Sequence, residues 1–290
     1  MSCDRRRFLA AAGAGLAAAI LPAVRPAAAF EPAPGPAPEP APGRIGAIGV
    51  QLYTLRSLLP RDFDGTLAAV REIGYREVEF AGYHGRTAKQ VRASLDRAGL
   101  SAPASHVPFE ALRDEPQRVL DEAEEVGHRY LVVAWLAEAD RQTPAALVRT
   151  AAAFNRIGEV AGERDMHFAY HNHDFEFVRV GGRIPYDLLL DDTVSDLVSF
   201  EMDLFWVAKG GGDPLDYFSR YPGRFPLVHV KDMAAGQQMT EVGKGHIDWR
   251  RIFAKRKLAG IEHYFVEHDE PTDPLASIRT SFDYLRKLRF

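Results

Sequence analysis

The segment FAYHNHDFEF, residues 168–177, places His171 and His173 one residue apart, where an apolar run ends. Alternate residues of a strand share a face, so both imidazoles are predicted to point the same way. Asp203, His229 and Glu267 also end apolar runs. Together with His171 they offer two imidazoles and two carboxylates, a donor set that suits Mn²⁺, Co²⁺, Fe²⁺ or Zn²⁺ better than Ca²⁺. We therefore predict that these four residues hold one divalent metal ion.

No pair of these residues has the local spacing of a zinc finger or an HExxH helix, so the site depends on the fold that brings them together. Short apolar runs alternate with helical patterns over residues 46–290. The predicted strands are 48–53, 77–81, 102–107, 130–135, 166–172, 197–203, 226–232 and 263–268. Each is bounded by turn or polar residues, as buried parallel strands are.

Helical patterns lie between these strands at 64–73, 88–98, 116–126 and 144–163. Repeated strand-then-helix units predict a single-domain α/β fold, a (β/α)8 TIM barrel over residues 45–290. A doubly wound sheet would usually carry a glycine-rich phosphate turn after its first strand, and GVQLYTLR has none. In a TIM barrel the chemistry lies at the carboxyl ends of the strands, where the candidate ligands stand.

Lys231 lies two positions beyond His229 and is predicted to point the same way. Its ammonium group would polarise a carbonyl or an enediolate oxygen beside the metal. The alternative is a lysine that only pairs with its neighbour Asp232.

Further polar and aromatic residues near the strand ends are candidates for substrate binding. His106 and Glu79 are suited to hydrogen bonds with sugar hydroxyls, and aromatic side chains offer flat faces for a pyranose. The aromatic candidates are Tyr53, Trp135 and Trp206. The alternative for these three is ordinary packing, since buried aromatic residues are common in barrels.

Four segments, GVQLYTLR, HVKD, VGKGHIDW and FVEH, together resemble the sugar isomerase and epimerase superfamily of xylose isomerase-like barrels. Its members include ketose 3-epimerases, inosose dehydratases, dehydroshikimate dehydratases and, more distantly, apurinic-site endonucleases. The resemblance covers essentially all of residues 46–290. It implies one divalent metal held by a glutamate after strand five, an aspartate after six, a histidine after seven and a glutamate after eight. Asp203, His229 and Glu267 match the last three positions.

The first position departs from the family pattern, because many members read Glu-Asn-His where this chain reads His171-Asn172-His173. In the epimerases two metal-bound glutamates exchange a proton on opposite faces of the substrate. The resemblance thus implies that Glu267 works here with His171 or His173. Inosose dehydratases also carry a histidine run at this place, so β-elimination is implied equally. Glu176 is another candidate for the missing carboxylate.

Two loops require separate interpretation. The connection 232–249 is long for a compact domain, as functional lids often are. The resemblance places its VGKGHIDW segment over the site, so Glu241 and His246 are expected to reach the substrate. The KGGGDP segment, residues 209–214, suits either a phosphate at a helix start or, as we favour, a turn with positive φ.

The leading prediction is a metal-dependent isomerase or epimerase acting on a small unphosphorylated keto-sugar or cyclitol. One alternative is a dehydratase or lyase acting on a keto-sugar or 3-keto-glycoside. An alternative of another class is a non-catalytic carbohydrate-binding barrel. The net charge of −4 provides no broad basic surface, which argues against a nucleic-acid partner and a DNA-repair nuclease. A homo-oligomer is compatible with the sequence.

The N-terminus is predicted to be a targeting signal and not part of the fold. Arginines 5–7 precede an alanine-rich apolar run and the small residues 27–29, which resembles a twin-arginine export signal over 1–29. Asp4 departs from the usual Ser or Thr, and the alternative is a disordered basic terminus. The apolar run is too short for a stable membrane anchor.

Residues 30–44, rich in Pro and Ala, predict a stiff linker. Cys3 is the only cysteine, so the mature chain would suit a periplasmic or other exported location.

Overall fold

Parallel strands close into a barrel in the computed structural model, which describes residues 43–290. The barrel strands are β1 (Ile48–Gln51), β2 (Glu77–Phe80), β3 (Ser101–His106), β4 (Tyr130–Val133), β5 (His167–His171), β6 (Val198–Asp203), β7 (Leu227–Val230) and β10 (His263–Val266). They are hydrogen-bonded in the closed order β1-β10-β7-β6-β5-β4-β3-β2. A separate antiparallel pair consists of β8 (Asp232–Met233) and β9 (Met239–Thr240). The predicted TIM barrel is confirmed, and each predicted strand is present.

Helices surround the barrel in the order expected of this fold. They are α1 (Phe63–Ile73), α2 (Ala88–Ala98), α3 (Phe109–Asp114), α4 (Pro116–Val126), α5 (Glu138–Arg141), α6 (Pro144–Gly162), α7 (Pro185–Asp192), α8 (Leu204–Lys209), α9 (Pro214–Arg220), α10 (Trp249–Phe253), α11 (Arg256–Ala259) and α12 (Pro274–Leu285). The four predicted helices correspond to α1, α2, α4 and α6. Local signals explain the boundaries: α2 begins with a reciprocal cap between Thr87 and Gln90 and ends at Gly99, whose φ is 66°.

Alternation along each strand positions the polar residues at the mouth of the barrel. Apolar side chains fill the interior at Ala104, Tyr130, Val132, Ala169, Leu227 and Phe265. Residues two apart in a strand share a face. The interior positions two residues after Ala104, Ala169, Leu227 and Phe265 are therefore the next ones toward the mouth, and all four are polar. Those polar residues are His106, His171, His229 and Glu267. The carboxyl end of the barrel interior is therefore polar, whereas the layer beneath it is apolar.

The connection 232–249 is fixed by one buried carboxylate, that of Asp232. It accepts hydrogen bonds from the backbone N–H groups of Met233, Gly243, Gly245 and Ile247 and from the indole N–H of Trp249. A Cβ at Gly245 would lie 2.3 Å from Asp232 Oδ1, so this close approach requires glycine. The carboxylate of Asp232 thus serves the loop.

Three other predictions concern regions away from the barrel. Gly211 in the KGGGDP segment has a φ of 82°, as the turn interpretation requires. The predicted export signal and the predicted linker up to residue 42 lie outside the described residues. Within residues 43–290, every helix is too short or too polar to cross a bilayer.

Candidate functional site

Two groups of potential metal ligands meet at the carboxyl end of the barrel. We call Asp203, His229 and Glu267 the upper group, and His106, His171, Glu201 and His229 the lower group. Within each group, one donor atom per residue lies within 4.8 Å of the others. His229 belongs to both groups because its two ring nitrogens face opposite ways.

Strand register explains why residues distant in sequence meet here. Asp203 on β6 is paired with His229 on β7, and His171 on β5 is paired with Glu201 on β6. Paired residues on adjacent parallel strands lie side by side, about 4.8 Å apart, with their side chains on one face. Glu267 follows the last residue of β10 and so completes the upper group from the next strand.

The geometry of the upper group fits a divalent metal. His229 Nδ1 lies 2.7 Å from Glu267 Oε2 and 3.8 Å from Asp203 Oδ2. His229 Nδ1 and Asp203 Oδ2 are buried and make no hydrogen bond of regular geometry among the described residues, although Glu267 Oε2 and Lys231 Nζ lie within ion-pair distance of them. Buried polar atoms that lack partners are unusual, and nitrogen and carboxylate donors are ligands of the first-row divalent metals. His171, the fourth predicted ligand, approaches this group with Nε2 3.8 Å from Asp203 Oδ2.

Lys231 lies beside the upper group as an internal cation. Its Nζ is 2.7 Å from Glu267 Oε2, 2.9 Å from Asp203 Oδ2 and 2.9 Å from Asp269 Oδ1. The side chain is buried, and its partners are these three carboxylates rather than Asp232. The alternative that Lys231 only pairs with its neighbour is therefore wrong.

Charge compensation shifts the ionisation of the upper group. Burial opposes ionisation of Glu267, but Lys231 and His229 outweigh it and hold the pKa of that carboxyl well below its usual value. Burial likewise opposes the charged form of Lys231, yet the surrounding carboxylates raise its pKa well above the ordinary value. Burial raises the pKa of Asp203 to about 6, despite the adjacent ammonium. Glu267 is therefore an ionised carboxylate available as a ligand or a base.

Glu201 is the centre of the lower group, and it is not among the residues predicted from the sequence. Its Oε2 lies 2.8 Å from His106 Nε2, 3.1 Å from His171 Nδ1 and 3.1 Å from His229 Nε2. Glu79 also accepts a hydrogen bond from His229, whose Nε2 lies 2.7 Å from Glu79 Oε2. The available signal was the alternation along β6, because Glu201 lies two residues before Asp203 and shares its face.

These carboxylates orient the imidazole rings. Burial opposes the charged form of His229, but Glu201, Glu267 and Glu79 outweigh it and raise the pKa of this imidazole well above its ordinary value. A metal would replace the Nδ1 proton, and with Nε2–H donated to Glu79 and Glu201 the Nδ1 lone pair would face Asp203 and Glu267, as a metal ligand requires. When His171 donates Nδ1–H to Glu201, its Nε2 lone pair faces the upper group. Burial and the charge of Glu201 raise the pKa of Glu79 to about 7. The lower group therefore supports the ligands of the upper group.

His173 lies beside the candidate metal ligands but is not in either group. Its ring centroid is 5.0 Å from that of His171, 5.3 Å from Trp135 and 5.6 Å from Trp206. Burial, with the nearby Lys231 charge, lowers its pKa to about 3, so the ring is neutral. Its Nδ1 and the indole Nε1 of Trp206 are buried without partners among residues 43–290. These two atoms therefore keep hydrogen-bonding capacity that the described residues do not use.

The other predicted residues are placed around the mouth. His106 belongs to the lower group, and Glu79 contacts that group through His229. Tyr53 is 43% exposed, and its ring stacks under Arg56. Glu241 pairs with Lys244 at 3.2 Å. His246 is exposed and lines a different cavity, with Asp213 and Arg251.

Glu176 does not supply the missing carboxylate. It is buried and accepts hydrogen bonds from the His173 backbone N–H, at 2.8 Å, and from the Tyr170 hydroxyl. One contact is with a residue of β5 and the other with the turn that follows it, so this carboxyl fixes the turn that carries His173 against the strand. The carboxylate adjacent to His171 is Glu201 instead.

The comparison with known families covers most of the barrel. A family model described as xylose isomerase-like TIM barrel matches residues 67–288. The chain belongs to the xylose isomerase-like TIM barrel family. Isomerase and epimerase relatives and dehydratase relatives both occur among its matches.

Among solved structures of the family, this chain resembles a sugar phosphate isomerase/epimerase from Parabacteroides distasonis. The two are 27% identical with a TM-score of 0.74, over 83% of this chain and 98% of that one. Among curated proteins, an inosose dehydratase from Geobacillus thermodenitrificans is 28% identical over 47% of this chain and 50% of the relative. One from Lacticaseibacillus casei is 35% identical over 40% of this chain and 35% of the relative. The chain therefore spans half or less of the length of these curated relatives.

Proposed function

We propose that the protein is a divalent-metal-dependent isomerase or epimerase that removes a proton next to the carbonyl of a small keto-sugar or cyclitol. The observation that carries this proposal is the upper group with Lys231, whose Nζ lies 2.7 Å from Glu267 Oε2. A buried donor set beside a fixed ammonium suits a reaction in which negative charge develops on a carbonyl oxygen.

Asp203, His229 and Glu267 would hold the metal, with His171 as a fourth ligand or as a base. A bound divalent cation polarises a carbonyl and so lowers the pKa of the adjacent C–H group. All three N–H bonds of the Lys231 ammonium face carboxylates in the structure, so Lys231 would donate a hydrogen bond to the enediolate oxygen in place of one of these contacts. Its buried positive charge would stabilise the negative charge that develops there.

Proton removal is assigned to Glu267 and to His171. Glu267 is ionised, and the hydrogen bond from His171 Nδ1 to Glu201 directs its Nε2 lone pair toward the upper group. Two bases of different chemistry on neighbouring sides of the site allow one to remove a proton and the other to return it. His173 and Trp206 would contact sugar hydroxyls through their unpartnered nitrogens, and His106 with Glu79 would close the site from below.

β-Elimination is the second candidate, and it is favoured by the residue at position 171. Burial and the neighbouring His229 lower the pKa of His171 well below its ordinary value, so the imidazole starts neutral. After it has taken the proton next to the carbonyl, it can pass that proton to the leaving oxygen, which a metal-bound glutamate does less readily. The curated relatives named above are inosose dehydratases. On this alternative the substrate would be a keto-sugar or a 3-keto-glycoside that loses its β-substituent.

Incubation of the metal-loaded protein with keto-sugars and 3-keto-glycosides in deuterated water tests the proposal. We expect deuterium at one carbon next to the carbonyl, and product identification then separates isomerisation, epimerisation and elimination. Glu267→Gln should reduce the exchange at least about 100-fold. Ligand binding without exchange for any keto compound would instead indicate a carbohydrate-binding barrel.

We also propose that the enzyme acts outside the cytoplasm, on the basis of arginines 5–7 and the apolar run that follows them. Twin-arginine signals depend on an arginine pair, so replacement of all three residues by lysine should retain the protein in the cytoplasm. Cell fractionation would show this. Equal export of the lysine variant would contradict the proposed signal.

A further inference from the structure

A cavity of about 410 Å³ opens beside the candidate site, on the side of β2, β3 and β4. Its walls include Val107, Pro108, Phe109 and Trp135, together with small alanine and glycine residues. Among the described residues that line it, only His106 and Glu110 are ionisable. Cavities of this size and apolar character are typical of small-molecule sites, whereas a sugar ring alone offers hydroxyls that these walls leave without partners.

His106 connects this cavity directly to the ligand cluster. It lines the cavity, and its Nε2 lies 2.8 Å from Glu201 Oε2 in the lower group. Its ring centroid is 5.3 Å from those of His171 and His229. A group bound in the cavity would therefore adjoin a sugar bound at the upper and lower groups.

The opposite side of the mouth is polar. A second cavity of about 310 Å³ is lined by Lys209, Gln238, His268 and Asp269, with Trp206 as one wall. Asp269 also pairs with Lys231, which joins this cavity to the upper group. The mouth thus has a polar side for hydroxyls and an apolar side across the cluster.

We propose that the substrate is a keto-glycoside with an aromatic aglycone, and that the cavity lined by Phe109 and Trp135 binds the aglycone. This inference rests on the second candidate of the proposed function, in which a 3-keto-glycoside binds at the upper group. Trp135 carries the argument for an aromatic group: its indole is 58% exposed, an unusual state for so large an apolar surface. It forms edge contacts with His173 and Phe175 and so presents a rigid wall.

Calorimetry with phenyl and methyl 3-keto-glucosides, in both anomeric forms, tests the aglycone cavity on the full-length metal-loaded protein. We expect the phenyl compound to bind at least about tenfold more tightly than the methyl compound. Trp135→Ala should reduce this preference to less than about threefold. Val148→Ala is the matched control, because Val148 is an exposed apolar residue of α6, 52% exposed, outside this cavity.

The binding preference and the deuterium exchange are separate readouts. Equal affinity for the two glycosides, or an unchanged preference in Trp135→Ala, would overturn the aglycone cavity even if both compounds exchange deuterium. Failure of all keto compounds to exchange would overturn the proposed reaction, whatever the preference.

Discussion

His171 and Glu201 are register partners on β5 and β6, and Nδ1 of His171 lies 3.1 Å from Oε2 of Glu201. The resemblance described above implies a glutamate at position 171. This chain has an imidazole there and a carboxylate on the adjacent strand. The pair therefore keeps both a donor atom and a negative charge at this side of the site.

Glu201→Gln tests the supporting role of this carboxylate. The amide keeps the shape but loses the charge that orients His106, His171 and His229. We expect the affinity for Mn²⁺ to fall about 10- to 100-fold, because supporting carboxylates fix the orientation of metal-bound imidazoles. Calorimetric titration with Mn²⁺ measures this.

Glu77→Gln is the matched control, since Glu77 accepts from His263 Nδ1 at 2.9 Å at the opposite end of the barrel. It removes a carboxylate–histidine contact but should leave Mn²⁺ affinity unchanged. Equal loss of affinity in both variants would show that Glu201 acts only through general stability.

Lys231→Met tests the separate roles of the ammonium in binding and in chemistry. Its loss leaves Asp203, Glu267 and Asp269 without their buried partner, so the metal-free protein should lose about 3–5 kcal/mol of stability. Mn²⁺ affinity should rise about tenfold, because the ammonium no longer competes for the same oxygens. Deuterium exchange should still fall at least about 100-fold.

Lys244→Met is the control for Lys231→Met, because Lys244 pairs with Glu241 at 3.2 Å and its side chain is 58% exposed. This variant should match the wild type in metal affinity and exchange. Retained exchange in Lys231→Met would remove Lys231 from the proposed mechanism.

The sequence predicts the barrel well because its strongest signals are local. Short apolar strands, glycine-terminated helices and polar strand ends follow from backbone geometry and burial, so the strand ends at Asp203, His229 and Glu267 could be placed at one mouth. The structure brings these three together. Only the register between strands shows that His171 meets Glu201.

The sequence does not predict which way the side chains of Glu176 and His246 point. Glu176 is close to His171 in the chain, yet it turns back to the Tyr170 hydroxyl and the His173 backbone. His246 lies on an exposed part of its loop, away from the cluster. Both depend on turn geometry after a strand ends, where the alternation of a strand no longer applies.

Trp206→Phe tests whether the unpartnered indole N–H binds substrate. Within the described chain this N–H has no acceptor, so its removal should leave the melting temperature nearly unchanged. The KM for the keto-sugar should rise about 5- to 10-fold, the value of one hydrogen bond. Thermal unfolding and steady-state kinetics measure the two effects.

Trp249→Phe gives the contrasting case, because the Trp249 indole donates to Asp232 Oδ2 at 3.1 Å in a buried position. This variant should lower the melting temperature and leave KM unchanged. An unchanged KM in Trp206→Phe would mean that its N–H faces no substrate group.

Glu176→Gln tests the pH dependence of stability. Burial raises the pKa of Glu176 from 4.5 to about 7, so the folded state retains a proton that the unfolded chain releases above pH 4.5. The contribution of Glu176 to the free energy of unfolding is fully present below pH 4.5 and is lost as pH rises through about 7. Glutamine resembles the protonated form, so the variant should gain up to roughly 3 kcal/mol relative to wild type between pH 4.5 and 8. Urea unfolding across this range measures the difference, and a pH-independent difference would contradict the raised pKa.

Anomalous diffraction from crystals soaked in Mn²⁺ tests the metal centre most directly. We expect one strong peak about 2.0–2.3 Å from Asp203 Oδ2, His229 Nδ1 and Glu267 Oε2, and no such peak in Asp203→Asn crystals. A peak only at other residues, or no peak at these three in a crystal that otherwise takes up Mn²⁺, would contradict the proposed metal-dependent reaction.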